Sequence, residues 1–66
     1  MNKLERVLAG LSDVPVDAKT LARSLRMDKA TCVAMVRLAV DQQLAVAVPM
    51  GKARNGIVVT GYRRVA

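Results

Sequence analysis

The positively charged side chains near the end of the chain are the residues best suited to contact a charged partner. Residues 51–66 contain Lys52, Arg54, Arg63 and Arg64 and no acidic residue. The 66-residue chain has 11 Lys and Arg against 5 Asp and Glu, which gives a formal net charge of +6. This excess in so small a chain favours binding to a polyanion, most often a nucleic acid. The alternative is that the charge serves only solubility.

Residues that support catalysis or metal binding are few. The chain has no histidine, and Cys32 is its one cysteine, which excludes an internal disulfide, a Cys–His nucleophile and a multi-cysteine metal site. Asp17 and Asp28 stand where they would cap helices, and the other three acids are scattered. A glycine-rich phosphate-binding motif is also absent. We therefore expect no enzymatic activity, no cofactor, no metal and no small-molecule ligand.

Composition predicts one small domain spanning residues 1–66. A hydrophobic content of 53% argues against disorder, but Tyr62 is the only aromatic residue, so the core must be aliphatic. At this size a core is barely self-sufficient, and a homodimer would add buried surface. Glu5 and Arg6 argue against a signal peptide, and the longest apolar run, residues 44–50, is too short to span a membrane. We expect a cytoplasmic protein with no membrane partner.

Three helices are predicted in the first two thirds of the chain. The first covers residues 3–11 and is followed by an extended connector around Pro15. Asp17 is predicted to cap a second helix that ends near Leu25, and Asp28 a third that runs to about Gln43. Helical periodicity predicts that one side of the third helix faces the core: Cys32, Met35, Val36, Ala39 and Val40, with Val33 at the edge.

The last third changes to residues that favour β-structure. Residues 44–48 and 57–60 are rich in valine, and the PMGKARNG segment lies between them. That segment contains a proline, two glycines and the pair Asn55-Gly56, which suits positive φ angles. The pattern predicts a β-hairpin with a loop of about eight residues.

This order of elements resembles the winged helix-turn-helix DNA-binding family, including its small prokaryotic and phage-type regulators. The stretch TLARSLRMDKATCVAMVRLAVDQQLAV, residues 20–46, is similar to the core pattern of that family. The matching positions are the pair Leu21-Ala22 that opens the second helix, the cap Asp28, and Leu44 before the first wing strand. The resemblance covers nearly the whole chain and implies an α+β fold of three helices followed by a β-hairpin wing.

The family also implies where duplex DNA would be contacted. Its third helix usually enters the major groove, and its basic wing touches the backbone or the minor groove. The implied contact residues are Lys19 and Thr20 on the second helix; Lys29, Ala30, Val33, Ala34 and Arg37 on the third; and Lys52, Arg54 and Asn55 at the wing tip. Arg63 and Arg64 are added from their charge alone, the alternative being a frayed basic tail.

The sequence departs from the family pattern at four positions. Val33 and Ala34 replace side chains that often form hydrogen bonds, so little base readout is expected and phosphate contacts should dominate. Arg26 and Gln43 stand where glycine is frequent. RNA binding is a weaker hypothesis because Tyr62 is the only aromatic side chain that can stack on bases.

The apolar residues on the outward face of the third helix have three interpretations. In the first, alanine is present at Ala30 and Ala34 only for its helix propensity. In the second, the small side chains let the helix approach DNA closely. In the third, the face that also includes Leu38 associates with a partner protein or a second copy. Arg37 either contacts DNA or pairs with Asp41 four residues later. The sequence therefore predicts a transcriptional regulator or accessory DNA-binding factor, with a protein-interaction module as the alternative.

Overall fold

The computed structural model describes residues 2–65 as three helices and a three-stranded antiparallel sheet. The elements are α1 (Lys3–Gly10), β1 (Val16–Asp17), α2 (Ala18–Leu25), α3 (Lys29–Asp41), β2 (Ala45–Lys52) and β3 (Val58–Arg64). In the sheet β3 lies between β1 and β2. The predicted α+β class is confirmed, and the arrangement is compatible with a winged-helix-like fold.

Side chains cap the first turn of each helix, including the two predicted caps Asp17 and Asp28. Each cap accepts a hydrogen bond from an N–H that has no partner within its helix. The capping bonds are Glu5 N–H to Asn2 at 2.8 Å, Thr20 N–H to Asp17 at 3.2 Å, and Ala30 and Thr31 N–H to Asp28 at 3.2 and 3.4 Å. The three helix starts therefore depend on local chemistry.

Helices α2 and α3 are each followed by a left-handed residue that is not glycine. Arg26 has a φ of 53° and Gln43 a φ of 62°. In both cases the N–H of the following residue donates to the carbonyl five residues earlier, which is the hydrogen bond of a Schellman motif. These bonds are Met27 N–H to Ala22 carbonyl at 2.9 Å and Leu44 N–H to Ala39 carbonyl at 2.8 Å. This geometry gives a physical reason for glycine at both positions in the family that the sequence resembles.

The connector before α2 contains a strand that the sequence did not indicate. Val16 pairs with Tyr62 and Asp17 with Gly61, which makes β1 an edge strand of the sheet. The predicted extended connector is confirmed, but the predicted order of three helices and then a hairpin lacked this element. Two residues are too few to show the alternation of a strand, so pairing with β3 defines β1.

The hairpin loop is shorter than the predicted eight residues. Strand β2 continues through Pro49 to Lys52, and the loop comprises residues 53–57. Because β2 is an edge strand, proline can occupy it without removing a bond from the centre of the sheet. The pairing is irregular between Pro49 and Lys52, where Gly51 has a φ of 103° that few other residues adopt.

The core is aliphatic and lies where the helices meet the sheet. Its buried members are Val7, Leu11, Leu21, Ala22, Cys32, Val36, Ala39 and Ala45. The predicted stripe of α3 is confirmed at its centre, whereas Met35 and Val40 are half-buried along its sides. α3 also ends two residues before the predicted Gln43, which instead takes the left-handed conformation.

Candidate nucleic-acid interface

The outward face of α3 is the first part of the candidate interface. At about 100° per residue, this face lies opposite the buried Cys32, Val36 and Ala39. Its exposed residues are Ala30, Ala34, Arg37 and Asp41, with Leu38 and the half-buried Val33 at its sides and Lys29 at the start of the helix. The structure therefore brings together all five predicted positions of α3 and adds an acidic residue.

The chemistry of this face is nearly neutral. Ala30 and Ala34 present methyl groups, which allow a close approach but form no hydrogen bonds. Arg37 and Asp41 are both exposed and carry opposite charges. Asp41 also lies at the C-terminal end of the helix, where the helix dipole disfavours a negative charge. Arg37 and Lys29 are thus the residues of α3 that can attract a polyanion.

The start of α2 places Lys19 and Thr20 at an exposed helix terminus. The Thr20 side chain and the Thr20 N–H both lower the pKa of the Asp17 carboxyl, which keeps that group ionised as the helix cap. The N–H bond measures 3.2 Å. Thr20 is therefore already engaged with a carboxylate, and Lys19 is the residue of this pair best placed to meet a phosphate.

The hairpin tip, residues 52–58, is an internally bonded loop with exposed cations. The Ala53 N–H donates to the Ile57 carbonyl at 2.9 Å, and the Gly56 N–H donates to the Ala53 carbonyl at 3.0 Å. The Ile57 N–H donates to the Asn55 Oδ1 at 3.1 Å, which leaves the amide NH₂ of Asn55 for a partner. Lys52 and Arg54 are exposed on this internally bonded loop.

Arg63 and Arg64 lie in the central strand, so the predicted alternative of a frayed tail is wrong for them. Arg63 pairs with Val46, Arg64 pairs with Ala45, and the Arg64 N–H donates to the Ser12 carbonyl at 2.7 Å. Successive side chains of a strand leave opposite faces of the sheet. The two arginines therefore do not form one basic patch, although each remains available to a different surface.

Two apolar residues of the hairpin tip are exposed, although the sequence did not single them out. Ile57 and Val58 are 64% and 51% exposed. The sequence assigned them to a strand, where β-branched residues usually pack against neighbours. The signal that was available is their position directly after the Asn55-Gly56 turn, where a hairpin extends beyond the core.

Cys32 lies outside this interface, in the core. Burial raises the pKa of its thiol, so the thiolate is disfavoured and the side chain packs as a small apolar group. In the part of the chain that the structure describes, the helices are all too short or too polar to cross a membrane.

Comparison with known proteins finds a similar fold in a solved structure. The sequence matches no family model and no curated protein. The structure is similar to that of a possible transcriptional regulator from Methanosarcina mazei Go1, with a TM-score of 0.89 and 18% sequence identity. The match covers 100% of this chain and 57% of the chain of that protein. At this level of identity, the two proteins share a fold and no site residue is transferred between them.

Proposed function

We propose that this protein is a small winged-helix DNA-binding protein of the cytoplasm, a transcriptional regulator or accessory factor that binds duplex DNA mainly through phosphate contacts. The observation that carries the proposal is the internally bonded hairpin tip, which exposes Lys52 and Arg54 in a segment without acidic residues. The shared fold with a possible transcriptional regulator supports it. In this proposal the hairpin is the wing.

The wing contributes more affinity than α3. Arg37 and Asp41 offset each other on the outward face of the helix, and the alanines there offer only apolar contact, for example with a thymine methyl group. Lys19 and Lys29 at the starts of α2 and α3 add phosphate contacts. Thr20, Val33 and Asn55 complete the proposed contact set, to which Arg63 and Arg64 each add a charge from one face of the sheet. Such a surface binds duplexes of many sequences, and a homodimer or cooperative array would increase its affinity.

Replacing both Lys52 and Arg54 with alanine is expected to weaken the salt dependence of duplex binding. Each phosphate contact contributes a slope of roughly 0.9 to log K against log salt, so the double variant should lose about 1.8 units. If the two proteins bind equally at about 1 M salt, this change of slope makes the double variant about 60-fold weaker at roughly 0.1 M salt. Fluorescence anisotropy of a labelled short duplex, measured across a series of NaCl concentrations, checks both values.

The matched control compares two single variants, Lys52→Ala and Lys3→Ala. Lys3→Ala takes the same charge from the exposed start of α1 that Lys52→Ala takes from the wing. Lys52→Ala should change the slope by about 0.9 and Lys3→Ala by much less. Equal changes would mean that net charge, not the wing, sets the affinity. Absence of wild-type binding at low salt would refute the proposed function.

Exposure of Leu38 favours a second function, in which the outward face of α3 binds a protein or a second copy of this chain. Leu38 is 38% exposed beside Ala34 and can anchor such a contact. Leu38→Glu is then expected to abolish self-association in sedimentation velocity while circular dichroism shows an unchanged fold. Val14→Glu, at an exposed apolar residue outside α3, is the control. A wild-type monomer at high concentration would contradict self-association.

A further inference from the structure

The exposed apolar residues of the hairpin tip do not contribute to the core. Ile57 and Val58 are more than half exposed, and Lys52 lies opposite Val58 in the hairpin. Met50 differs, because it packs on Gly61: a β-carbon there would lie 2.6 Å from the Met50 Cγ. Single exposed apolar residues are ordinary, but two adjacent ones at the end of a projecting hairpin, beside two cations, form a specific combination.

The loop holds these side chains in a defined position. Both backbone groups of Ile57 are bonded, its carbonyl to the Ala53 N–H at 2.9 Å and its N–H to the Asn55 side chain at 3.1 Å. Val58 is fixed by pairing with Lys52. Isoleucine and valine are also restricted about χ1. Little conformational freedom is therefore lost when the tip inserts into a partner.

We propose that Ile57, the more exposed of the two, forms an apolar wedge that enters the minor groove of duplex DNA and bends the duplex. This inference rests on the proposed function. Lys52 and Arg54 lie on the same tip, where they can hold the phosphates on either side of the groove. Apolar side chains inserted at a base step partly unstack it and kink the duplex by about 20–90° towards the major groove.

The charge of the tip is what selects DNA as the partner of the wedge. The wedge is flanked by cations, and residues 51–66 contain no acid that would repel a phosphate. Two side chains are a small apolar anchor for a lipid surface, where stable attachment requires a larger buried area or a second anchoring signal. At a base step, by contrast, one or two apolar side chains are sufficient to open the stack.

Bending also gives this protein a source of sequence preference that α3 lacks. The energy needed to deform DNA depends on its sequence, and pyrimidine–purine steps such as TA and CA kink most easily. A protein with Ala30 and Ala34 on its outward helix face can therefore favour flexible sites without hydrogen bonds to bases. We expect tighter binding to a duplex with a central TA step than to an A-tract of the same length.

The test compares Ile57→Thr/Val58→Thr with wild type for both binding and bending. Threonine keeps the β-branch, and both positions are exposed, so the hairpin should be retained. Energy transfer between dyes at the two duplex ends should rise when wild type binds, and the double variant should lose most of that rise. Its affinity should fall less than about tenfold with an unchanged salt slope, because the phosphate contacts remain.

The control is Val14→Thr, which makes the same valine change at a residue that is 67% exposed outside the hairpin. It should bind and bend DNA as wild type does. Wild-type binding without a change in energy transfer would overturn the wedge and leave the proposed function intact, as would a double variant that bends DNA fully. Wild type that binds anionic vesicles and bends no duplex would overturn the wedge in favour of a membrane. Absence of duplex binding would overturn both proposals.

Discussion

Replacing Val36 with alanine is expected to lower the free energy of unfolding by about 2–3 kcal/mol. Val36 lies in α3 and is 0% exposed, among the core residues of the other helices. Removing two methyl groups loses about 0.8 kcal/mol of transfer free energy each and leaves a cavity, partly offset by the better helix propensity of alanine. A domain of this size has a total stability of roughly 3–10 kcal/mol, so the loss is a large fraction.

Val33→Ala is the matched control, since it makes the same change in the same helix. Val33 is half-buried at the edge of the outward face, so the expected loss is less than about 1 kcal/mol. Urea titration followed by circular dichroism gives both free energies. Similar losses for the two variants would mean that the α3 stripe does not face the core as the structure shows.

This sensitivity follows from a core without fully buried aromatic side chains. Val7, Cys32 and Val36 are the largest fully buried residues among residues 2–65. Each is small, and the one aromatic residue, Tyr62, is only half-buried against the core. The same simplicity made the helices predictable, because in a purely aliphatic core the buried side of a helix follows from its periodicity alone.

Local chemistry accounts for what the sequence predicted, and long-range pairing for what it did not. Asp17 and Asp28 cap α2 and α3 through nearby N–H groups, so the helix starts could be placed within a residue. Strand β1 is defined by the pairing of Val16 with Tyr62, across most of the chain. The extent of β2 likewise depends on β3, which keeps it paired beyond Pro49.

The candidate site shows the same division. Exposure of Lys52 and Arg54 follows from charge and a turn, and the sequence predicted it. The opposite directions of Arg63 and Arg64 depend on their place in β3, which composition does not reveal. Exposure of Ile57 and Val58 depends on how far the hairpin extends past the core, which is a property of the whole fold. The local sequence feature that comes nearest to predicting this exposure is a pair of β-branched residues directly after a turn.

The double variant Arg26→Gly/Gln43→Gly is expected to stabilise the protein by about 1–2 kcal/mol. Both residues are left-handed, with φ angles of 53° and 62°. This conformation costs a residue with a β-carbon roughly 1–2 kcal/mol, of which about 0.5–1 kcal/mol is lost again to the greater freedom of glycine in the unfolded chain. In a domain this small, each kcal/mol raises the midpoint of thermal unfolding by about 4–8 °C.

Arg23→Gly separates backbone strain from the loss of an arginine side chain. Arg23 is exposed in α2, three residues before Arg26, and has helical geometry. Glycine there should destabilise the protein by about 1 kcal/mol, the opposite sign to Arg26→Gly. The midpoints of thermal unfolding of Arg23→Gly, of each single left-handed variant and of the double variant give the sign of each change. If Arg26→Gly destabilised as Arg23→Gly does, the two Schellman motifs would not be strained, and the arginine side chain itself would be what stabilises the turn before α3.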